Sequence, residues 1–148
     1  MRDPMHVTVA AVISDGDRFL VVEESIEGRT RFNQPAGHLE AGETLVQAVT
    51  REVAEETRYR FEPASLVGVY EWENAAGEHF VRFTFAGTAA GPEPDWQLDP
   101  DIRQVHWLTL DELQACRDQH RSPMVLRTVE DYLAGHRFSL EILNNIEP

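Results

Sequence analysis

Three glutamates close together in the chain carry the clearest chemical signal in the sequence. Glu52, Glu55 and Glu56 lie within GHLEAGETLVQAVTREVAEETRY, residues 37–59. Their spacing of i, i+3 and i+4 places all three on one face if the stretch is helical. Like charges at this range repel, and hard divalent cations with oxygen ligands supply the compensating charge. The spacing therefore predicts a Mg²⁺ or Mn²⁺ site.

The helix that would carry these acids has its own start signal. Thr44 and Gln47 form a T-x-x-Q capping box, which predicts a helix over residues 45–57. At about 100° per residue, the apolar residues of this helix project over the same side as Glu52 and Glu56. The alternative is a solvated acidic face, but such a face should lie opposite the apolar stripe. Acids near a helix C-terminus also meet the unfavourable end of the macrodipole, so a cation site is favoured.

The same residues belong to a longer pattern. Gly37, five residues, Glu43, seven residues and then REVAEE follow one another at fixed spacing. This pattern resembles the signature of the Nudix hydrolases, which cleave diphosphate linkages attached to another moiety. The likeness continues in HVTVA, FLVVEE, NQPAGHLEAGETL, FVRF and the RSP before the last helix, and so covers most of the chain. The resemblance implies an α/β (α+β) fold with a mixed β-sheet sandwiched between helices, as one domain over residues 1–148.

The resemblance also implies which residues hold the metal. Glu52, Glu55 and Glu56 match the carboxylates that bind the divalent cation, with the Gly37 carbonyl as a backbone ligand.

Further roles follow from the matched positions. Arg51 and Glu43 resemble an orienting pair that supports Glu52 from the side, although an ordinary intrahelical ion pair is the alternative for Arg51. The general base is expected to be Glu52 or Glu55. Asp101, where an acidic loop joins a strand, is a candidate for an extra acid, with a solvated loop aspartate as the alternative.

Substrate contacts are less clearly encoded. Arg29, Arg31 and Arg82 are candidates for phosphate contacts, each with an ordinary surface arginine as the alternative. Trp72 and Trp96 are candidates for stacking on a base, or else packing residues.

The implied reaction is hydrolysis of phosphoanhydride bonds in nucleoside di- and triphosphates. The likeness outside the signature adds hydroxymethylpyrimidine diphosphate, a thiamine precursor, and release of orthophosphate. One alternative is another diphosphate, such as ADP-ribose or a capped RNA end. A second is a non-hydrolytic module that binds nucleotides or regulates partners. Such modules commonly lose acids from the signature, and this chain keeps them all, which favours an enzyme.

Composition limits the partners and the compartment. The 148 residues fit one domain, and the formal net charge is -13 with 13 cationic residues, all arginine. The absence of lysine excludes Schiff-base chemistry and a lysine-bearing P-loop. The negative charge argues against long nucleic acid and anionic membranes. With no membrane-length apolar run, no secretory layout and only Cys116 as cysteine, we expect a cytoplasmic monomer or small homo-oligomer acting on a small phosphorylated substrate.

The remaining elements surround the acid-bearing helix. HVTVAAVI and RFLVVEE flank the turn cluster SDGD and predict one β-hairpin, and LVGVYEWE and HFVRFTFAG predict another. TAAGPEPDWQLDPD predicts a loop and IRQVHWL a strand. DELQAC predicts a short helix, and a last helix is predicted between Ser122 as N-cap and Gly135.

One residue departs from the family pattern. The pattern has a glycine where this chain has Arg58, just after the acid-bearing helix. Glycine takes a left-handed C-cap at little cost, whereas arginine there costs about 1 kcal/mol or requires another ending. The end of this helix is therefore open to question.

Overall fold

The computed structural model describes residues 4–148 as eight strands and three α-helices. The strands are β1 (Met5–Val12), β2 (Ser14–Asp15), β3 (Arg18–Ile26), β4 (Arg29–Asn33), β5 (Ala36–His38), β6 (Arg60–Glu73), β7 (His79–Ala90) and β8 (Ile102–Thr109). The helices are α1 (Leu45–Thr57), α2 (Leu110–Ala115) and α3 (Met124–Leu133). Short 3₁₀ turns occupy Arg117–Gln119 and Leu140–Ile142. None of the helices in this part of the chain is long and apolar enough to cross a membrane.

The strands form two sheets. The first has the order β5, β1, β7, β6, with β1 parallel to β7 and the other pairs antiparallel. In the second, β3 pairs antiparallel with β2, β4 and β8. The prediction of a hairpin between β1 and β3 is wrong, because the two strands lie in different sheets. The SDGD turn is present, but only the two residues of β2 pair back onto β3.

Burial explains why β1 leaves the turn for the first sheet. Residues 9–12 of β1 are buried on both faces of the strand. A strand with two buried faces belongs in the middle of a sheet covered on both sides. One face of β1 packs against α1, where Val9 joins the same core as Val49 and Val53. The opposite face packs toward α3, where Val12 meets Val129. The predicted architecture of a mixed sheet between helices is confirmed.

Helix α1 begins and ends as its sequence requires. The Thr44 hydroxyl accepts the Gln47 N–H at 3.1 Å, and the Gln47 side chain accepts the Thr44 N–H at 2.8 Å, which completes the capping box. The helix ends at Thr57, and Arg58 itself takes the left-handed conformation with φ 64°. The Arg58 N–H donates to the Ala54 carbonyl at 2.9 Å. Helix α1 therefore ends at the predicted residue even though position 58 is arginine and not glycine.

The other local predictions agree with the structure. The second hairpin is β6 and β7, paired from Glu73 and His79 outward. The acidic tract after β7 is a loop up to β8, and both later helices form. The N-cap of α3 is Pro123, one residue after the predicted Ser122, whose hydroxyl accepts the Met124 N–H at 3.2 Å. Gly135 follows the end of the helix with φ 90°.

Candidate functional site

Two of the three signature glutamates point into the protein. Glu52 is 8% exposed and Glu56 is 7% exposed, on the face of α1 that packs against the first sheet. The Ala36 N–H of β5 donates to Glu56 Oε1 at 2.8 Å. Glu55 lies at the edge of this face with its side chain half exposed. The acids therefore continue the apolar stripe, as the helical spacing predicts.

Gly37 provides the space that Glu52 occupies. A Cβ atom on Gly37 would lie 2.1 Å from the Glu52 carboxyl carbon and 2.2 Å from its Oε1. No side chain other than hydrogen fits there while Glu52 keeps its position. The glycine of the signature thus brings backbone from β5 against a carboxylate of α1.

Arg51 joins the signature residues into one network. Its guanidinium donates to both oxygens of Glu43, at 2.7 and 3.0 Å, in a bidentate pair. It also donates to Glu52 at 2.8 Å and to Glu55 at 3.3 Å, and to the His38 carbonyl at 3.0 Å. The contact with Glu55 is the ordinary i, i+4 ion pair. The bonds to Glu43 and Glu52 make Arg51 a fixed support rather than a surface ion pair alone.

The Arg51 network shifts the pKa of its members. The hydrogen bond from Arg51 lowers the pKa of Glu43, and the same bond raises the pKa of Arg51. Burial raises the pKa of Glu52 to about 6, although Arg51 opposes this shift. Glu43 is therefore held as an anion, whereas Glu52 stays partly uncompensated.

Glu56 carries the largest carboxylate shift in the site. Burial raises its pKa to about 9, opposed by the Ala36 N–H and assisted by the negative charges of Glu24, Glu52 and Asp99. A carboxylate placed in apolar surroundings among other acids favours its neutral form unless a cation is bound nearby.

Two acids of this site, Glu24 and Asp99, were not predicted from the sequence. Glu24, at the end of the buried part of β3, is 8% exposed and accepts Arg121 Nη1 at 2.6 Å. The Asp99 N–H donates to the Glu55 carbonyl at 2.8 Å, which fixes the acidic loop onto α1. The charge of Asp99 raises the pKa of Glu24, Glu52 and Glu56. The acids at the end of FLVVEE and in the acidic tract can be read from the sequence. The sequence does not show that they lie close to α1.

Asp101 lies next to this cluster. Its N–H donates to Asp99 Oδ1 at 2.9 Å, and its side chain is exposed. Its charge contributes to the raised pKa of Glu24, after burial and the opposing effect of Arg121. Asp101 is thus bonded to Asp99 through its backbone, and both acids of this loop add to the negative charge around Glu24.

The predicted phosphate contacts lie in two places. Arg31 on β4 is opposite Glu24 in the sheet register, and Arg29 is exposed at the start of the same strand. Neither arginine forms an ion pair within residues 4–148. Arg82 on β7 is 2% exposed and donates to Gln34 Oε1 at 2.8 Å.

The position of Arg82 differs from the expected one. Its guanidinium is covered on all sides, and burial lowers its pKa to about 10. A phosphate arriving from solvent does not reach a covered guanidinium, so Arg82 contacts buried polar groups such as the Gln34 side chain rather than a substrate.

The donor set of the site fits a hard divalent cation. In residues 4–148 no three His, Cys, Asp or Glu side chains converge at metal-binding distances. Arg51 holds Glu52 and Glu55, and the Ala36 N–H holds Glu56, so these oxygens face their present donors. The side-chain atoms that could bind a metal are nevertheless all carboxylate oxygens. Glu52 is buried with Arg51 as its cationic partner, and Glu56 is buried with no cationic partner within residues 4–148. Mg²⁺ and Mn²⁺ are cations that such oxygen ligands select.

The match to a known family agrees with this fold and site. The model of the NUDIX domain family matches residues 4–128. The chain therefore belongs to the Nudix hydrolases, a family that generally uses divalent metal ions. The family expected from the signature is confirmed.

Comparison with individual proteins of this family shows which members the chain is similar to. Phosphatase NudJ of Escherichia coli K12 is 39% identical over 140 residues, which cover 95% of this chain and 91% of that protein. A NUDIX hydrolase from Nitrosomonas europaea superimposes with a TM-score of 0.94 at 46% identity, over 97% of this chain and 98% of that chain. A MutT NUDIX hydrolase from Burkholderia pseudomallei shares the fold, with a TM-score of 0.70 at 24% identity over 87% of this chain and 98% of that chain. The chain is thus an enzyme of the Nudix class and a homologue of phosphatase NudJ.

Proposed function

We propose that the protein is a Mg²⁺- or Mn²⁺-dependent phosphohydrolase that acts on nucleoside di- and triphosphates and on hydroxymethylpyrimidine diphosphate, with release of orthophosphate. The observation that carries this proposal is the pair of buried carboxylates on α1, Glu52 and Glu56, of which Glu56 has no cationic partner within residues 4–148. The likeness to phosphatase NudJ supports the release of orthophosphate.

The residues of the site have separate roles, of which the first are metal binding and proton transfer. Glu52, Glu55 and Glu56 would hold the metal together with the Gly37 carbonyl. When bound, the cation neutralises phosphate oxygens and makes a water more acidic. Glu52 or Glu55 accepts the proton of the attacking water.

Two groups position this machinery. Arg51, fixed by Glu43, holds Glu52 in place, so that the carboxylate keeps one orientation through the reaction. The loop that carries Asp99 is fixed to α1 by the bond from the Asp99 N–H to the Glu55 carbonyl, which keeps this acid near the site.

Charge also limits the substrate and the compartment. A net charge of -13 disfavours long nucleic acid and favours a small phosphorylated molecule that arrives with its own cation. We place this activity in the cytoplasm.

The test is a substrate panel with one isosteric variant. Hydroxymethylpyrimidine diphosphate, nucleoside di- and triphosphates and ADP-ribose are incubated with Mg²⁺, and phosphorus NMR identifies the products. Glu56→Gln keeps an acceptor for the Ala36 N–H but removes the charge, so turnover should fall at least about 100-fold.

The matched control is Glu62→Gln, which removes an exposed acid of β6 and should turn over as the wild type does. Unchanged turnover in Glu56→Gln would reject the role of Glu56 in binding metal. Nucleotide binding by the wild type without release of any product would show a non-hydrolytic module instead.

A further inference from the structure

A cavity of about 490 Å³ lies between strand β6, the turn at residues 117–122 and the first turns of α3. Trp72 lines it from β6, Arg117 and Arg121 line it from the turn, and Arg127 lines it from α3. We call it the Trp72 cavity. Its volume lies in the range of about 300–1,000 Å³ that is typical of sites for small molecules.

The Trp72 cavity adjoins the acidic site through one ion pair. Arg121, which lines the cavity, donates to Glu24 at 2.6 Å, and the Arg121 side chain is about half exposed. Glu24 is a buried acid at the end of β3, so Arg121 contacts both the cavity and the acidic side of the molecule.

The cavity is lined by several arginines in an otherwise acidic protein. Three of the 13 cationic side chains line it, against two acids, Asp118 and Glu130. Arg127 is paired with Asp131 at 3.1 Å and Arg121 with Glu24. The Arg117 side chain has no hydrogen bond or ion pair within residues 4–148. Arg117 is thus a cation whose donors are available to an anionic ligand.

Trp72 is held in place by an aromatic row across three strands. Its ring lies 5.6 Å from that of Phe80 on β7, which stacks at 4.7 Å on His6 of β1. The register pairs these residues directly, Trp72 with Phe80 and Phe80 with His6. Trp72 is only partly buried and lines the cavity. A tryptophan fixed by its neighbours and open to a cavity is a stacking surface for planar rings.

We propose that the Trp72 cavity binds the part of the substrate that is not transferred. A planar heteroaromatic ring stacks on Trp72, and the phosphate next to that ring contacts Arg117 and Arg121. This inference rests on the proposed function, since it assigns the substrate class of the same site. The enzyme then prefers phosphorylated nucleosides or pyrimidines over diphosphates that carry no aromatic ring.

The first test measures binding without chemistry. Isothermal titration of adenosine monophosphate, with and without Mg²⁺, should show affinity at least about tenfold weaker in Trp72→Ala than in the wild type. Trp72→Phe should recover most of this loss, because phenylalanine keeps a stacking face. Trp96→Ala, in the loop before β8 and beneath Arg60, is the matched control and should bind as the wild type does.

The second test addresses the phosphate contact. Arg117 is exposed and makes no side-chain bond in the described part of the chain, so Arg117→Gln should fold normally. It should weaken binding of adenosine monophosphate at least about threefold and leave binding of adenosine unchanged. Thermal unfolding of each variant is monitored by circular dichroism. A Tm and a spectrum close to those of the wild type show that the fold is kept.

The outcomes separate this inference from the proposed function. Wild-type affinity in Trp72→Ala and Arg117→Gln, or no binding by the wild type at all, overturns the inference even if phosphate is released from nucleotides. Trp72-dependent binding with no product from any compound sustains the inference and rejects the hydrolysis. Hydrolysis with a KM that rises at least about tenfold in Trp72→Ala for nucleoside triphosphate, but not for inorganic triphosphate, supports both.

Discussion

Gly37 and Glu52 are packed so closely that position 37 has no room for a side chain. The missing side chain of Gly37 leaves the space in which the Glu52 carboxyl group rests. Arg51 holds the same carboxyl group from the other direction at 2.8 Å. The position of Glu52 therefore depends on a glycine and an arginine of the same signature.

Gly37→Ala should inactivate the enzyme without unfolding it. The added Cβ would lie 2.1 Å from the Glu52 carboxyl carbon, so Glu52 must move away from its Arg51 bond. Displacement of a catalytic group by about 1 Å costs on the order of 100-fold in rate. Steady-state kcat/KM for the best substrate of the panel measures the loss.

Gly77→Ala controls for the general effect of replacing a glycine. Gly77 lies in the turn between β6 and β7 with φ 83° and no atom within 4 Å of a new Cβ. This variant should lose stability of about 1 kcal/mol and keep its activity. If Gly37→Ala retained wild-type kcat/KM, the position of Glu52 would not matter for the reaction.

At this scale the sequence predicts the local part of the site. The burial of Glu52 and Glu56 follows from helical spacing, because both residues lie on the apolar side of one element. Glu24 and Asp99 come from β3 and from the loop before β8, and no local pattern relates them to α1. Their positions depend on strand pairing, which is a property of the whole fold.

The two predicted hairpins show the same difference between what local sequence determines and what strand pairing across the whole fold determines. The second hairpin was predictable, because β6 and β7 are neighbours in the chain and also pair in space. The first hairpin was not, although its turn residues are equally typical. Strand β1 is buried on both faces and lies between β5 and β7 in the middle of the first sheet, which the turn residues alone do not indicate.

The end of α1 offers a prediction about stability. Arg58 takes the left-handed conformation, which costs a residue with a Cβ about 1 kcal/mol relative to glycine. Its side chain has no hydrogen bond or ion pair within residues 4–148. Arg58→Gly should therefore raise the free energy of unfolding by about 0.5–1 kcal/mol, as measured by urea denaturation.

Arg58→Ala is the matched control for this change. Alanine removes the arginine side chain but keeps the Cβ atom, so its stability should stay close to that of the wild type. Equal stabilisation by alanine and glycine would show that the gain comes from removing the side chain, and the argument from backbone conformation would be wrong.

The whole molecule is strongly acidic and gathers several of its acids at one buried place. Glu24, Glu52 and Glu56 are each less than 10% exposed, and burial raises the pKa of all three. Arg121 pairs with Glu24 and Arg51 with Glu52, whereas Glu56 has no cationic partner within residues 4–148, so a proton or a divalent cation would compensate its charge. Proton binding, metal binding and stability are therefore linked in this protein.

This linkage predicts that the metal-free protein loses stability as the pH rises from 7 to 9. The pKa of Glu56 lies near 9 in the folded protein and at its ordinary value of 4.5 in the unfolded chain. The folded state then holds an extra proton, whose stabilising effect is complete below pH 4.5 and lost as the pH rises through about 9. Burial lowers the pKa of His38 and His120 from 6.5, so their opposite effect falls below this window. In EDTA, the free energy of unfolding should fall by roughly 1 kcal/mol per pH unit.

Mg²⁺ should reverse this trend, because a cation at the carboxylates replaces the proton. The rise in Tm on adding Mg²⁺ should grow between pH 7 and pH 9, as measured by thermal unfolding at matched ionic strength. Glu56→Gln cannot ionise, so its Tm should change less with pH and respond less to Mg²⁺, whereas Glu62→Gln should follow the wild type. A Tm in EDTA that stays constant across this range would mean that Glu56 is already compensated by the protein itself. The acidic site would then have no need of a metal for its stability, and the link between burial and cation binding would fail.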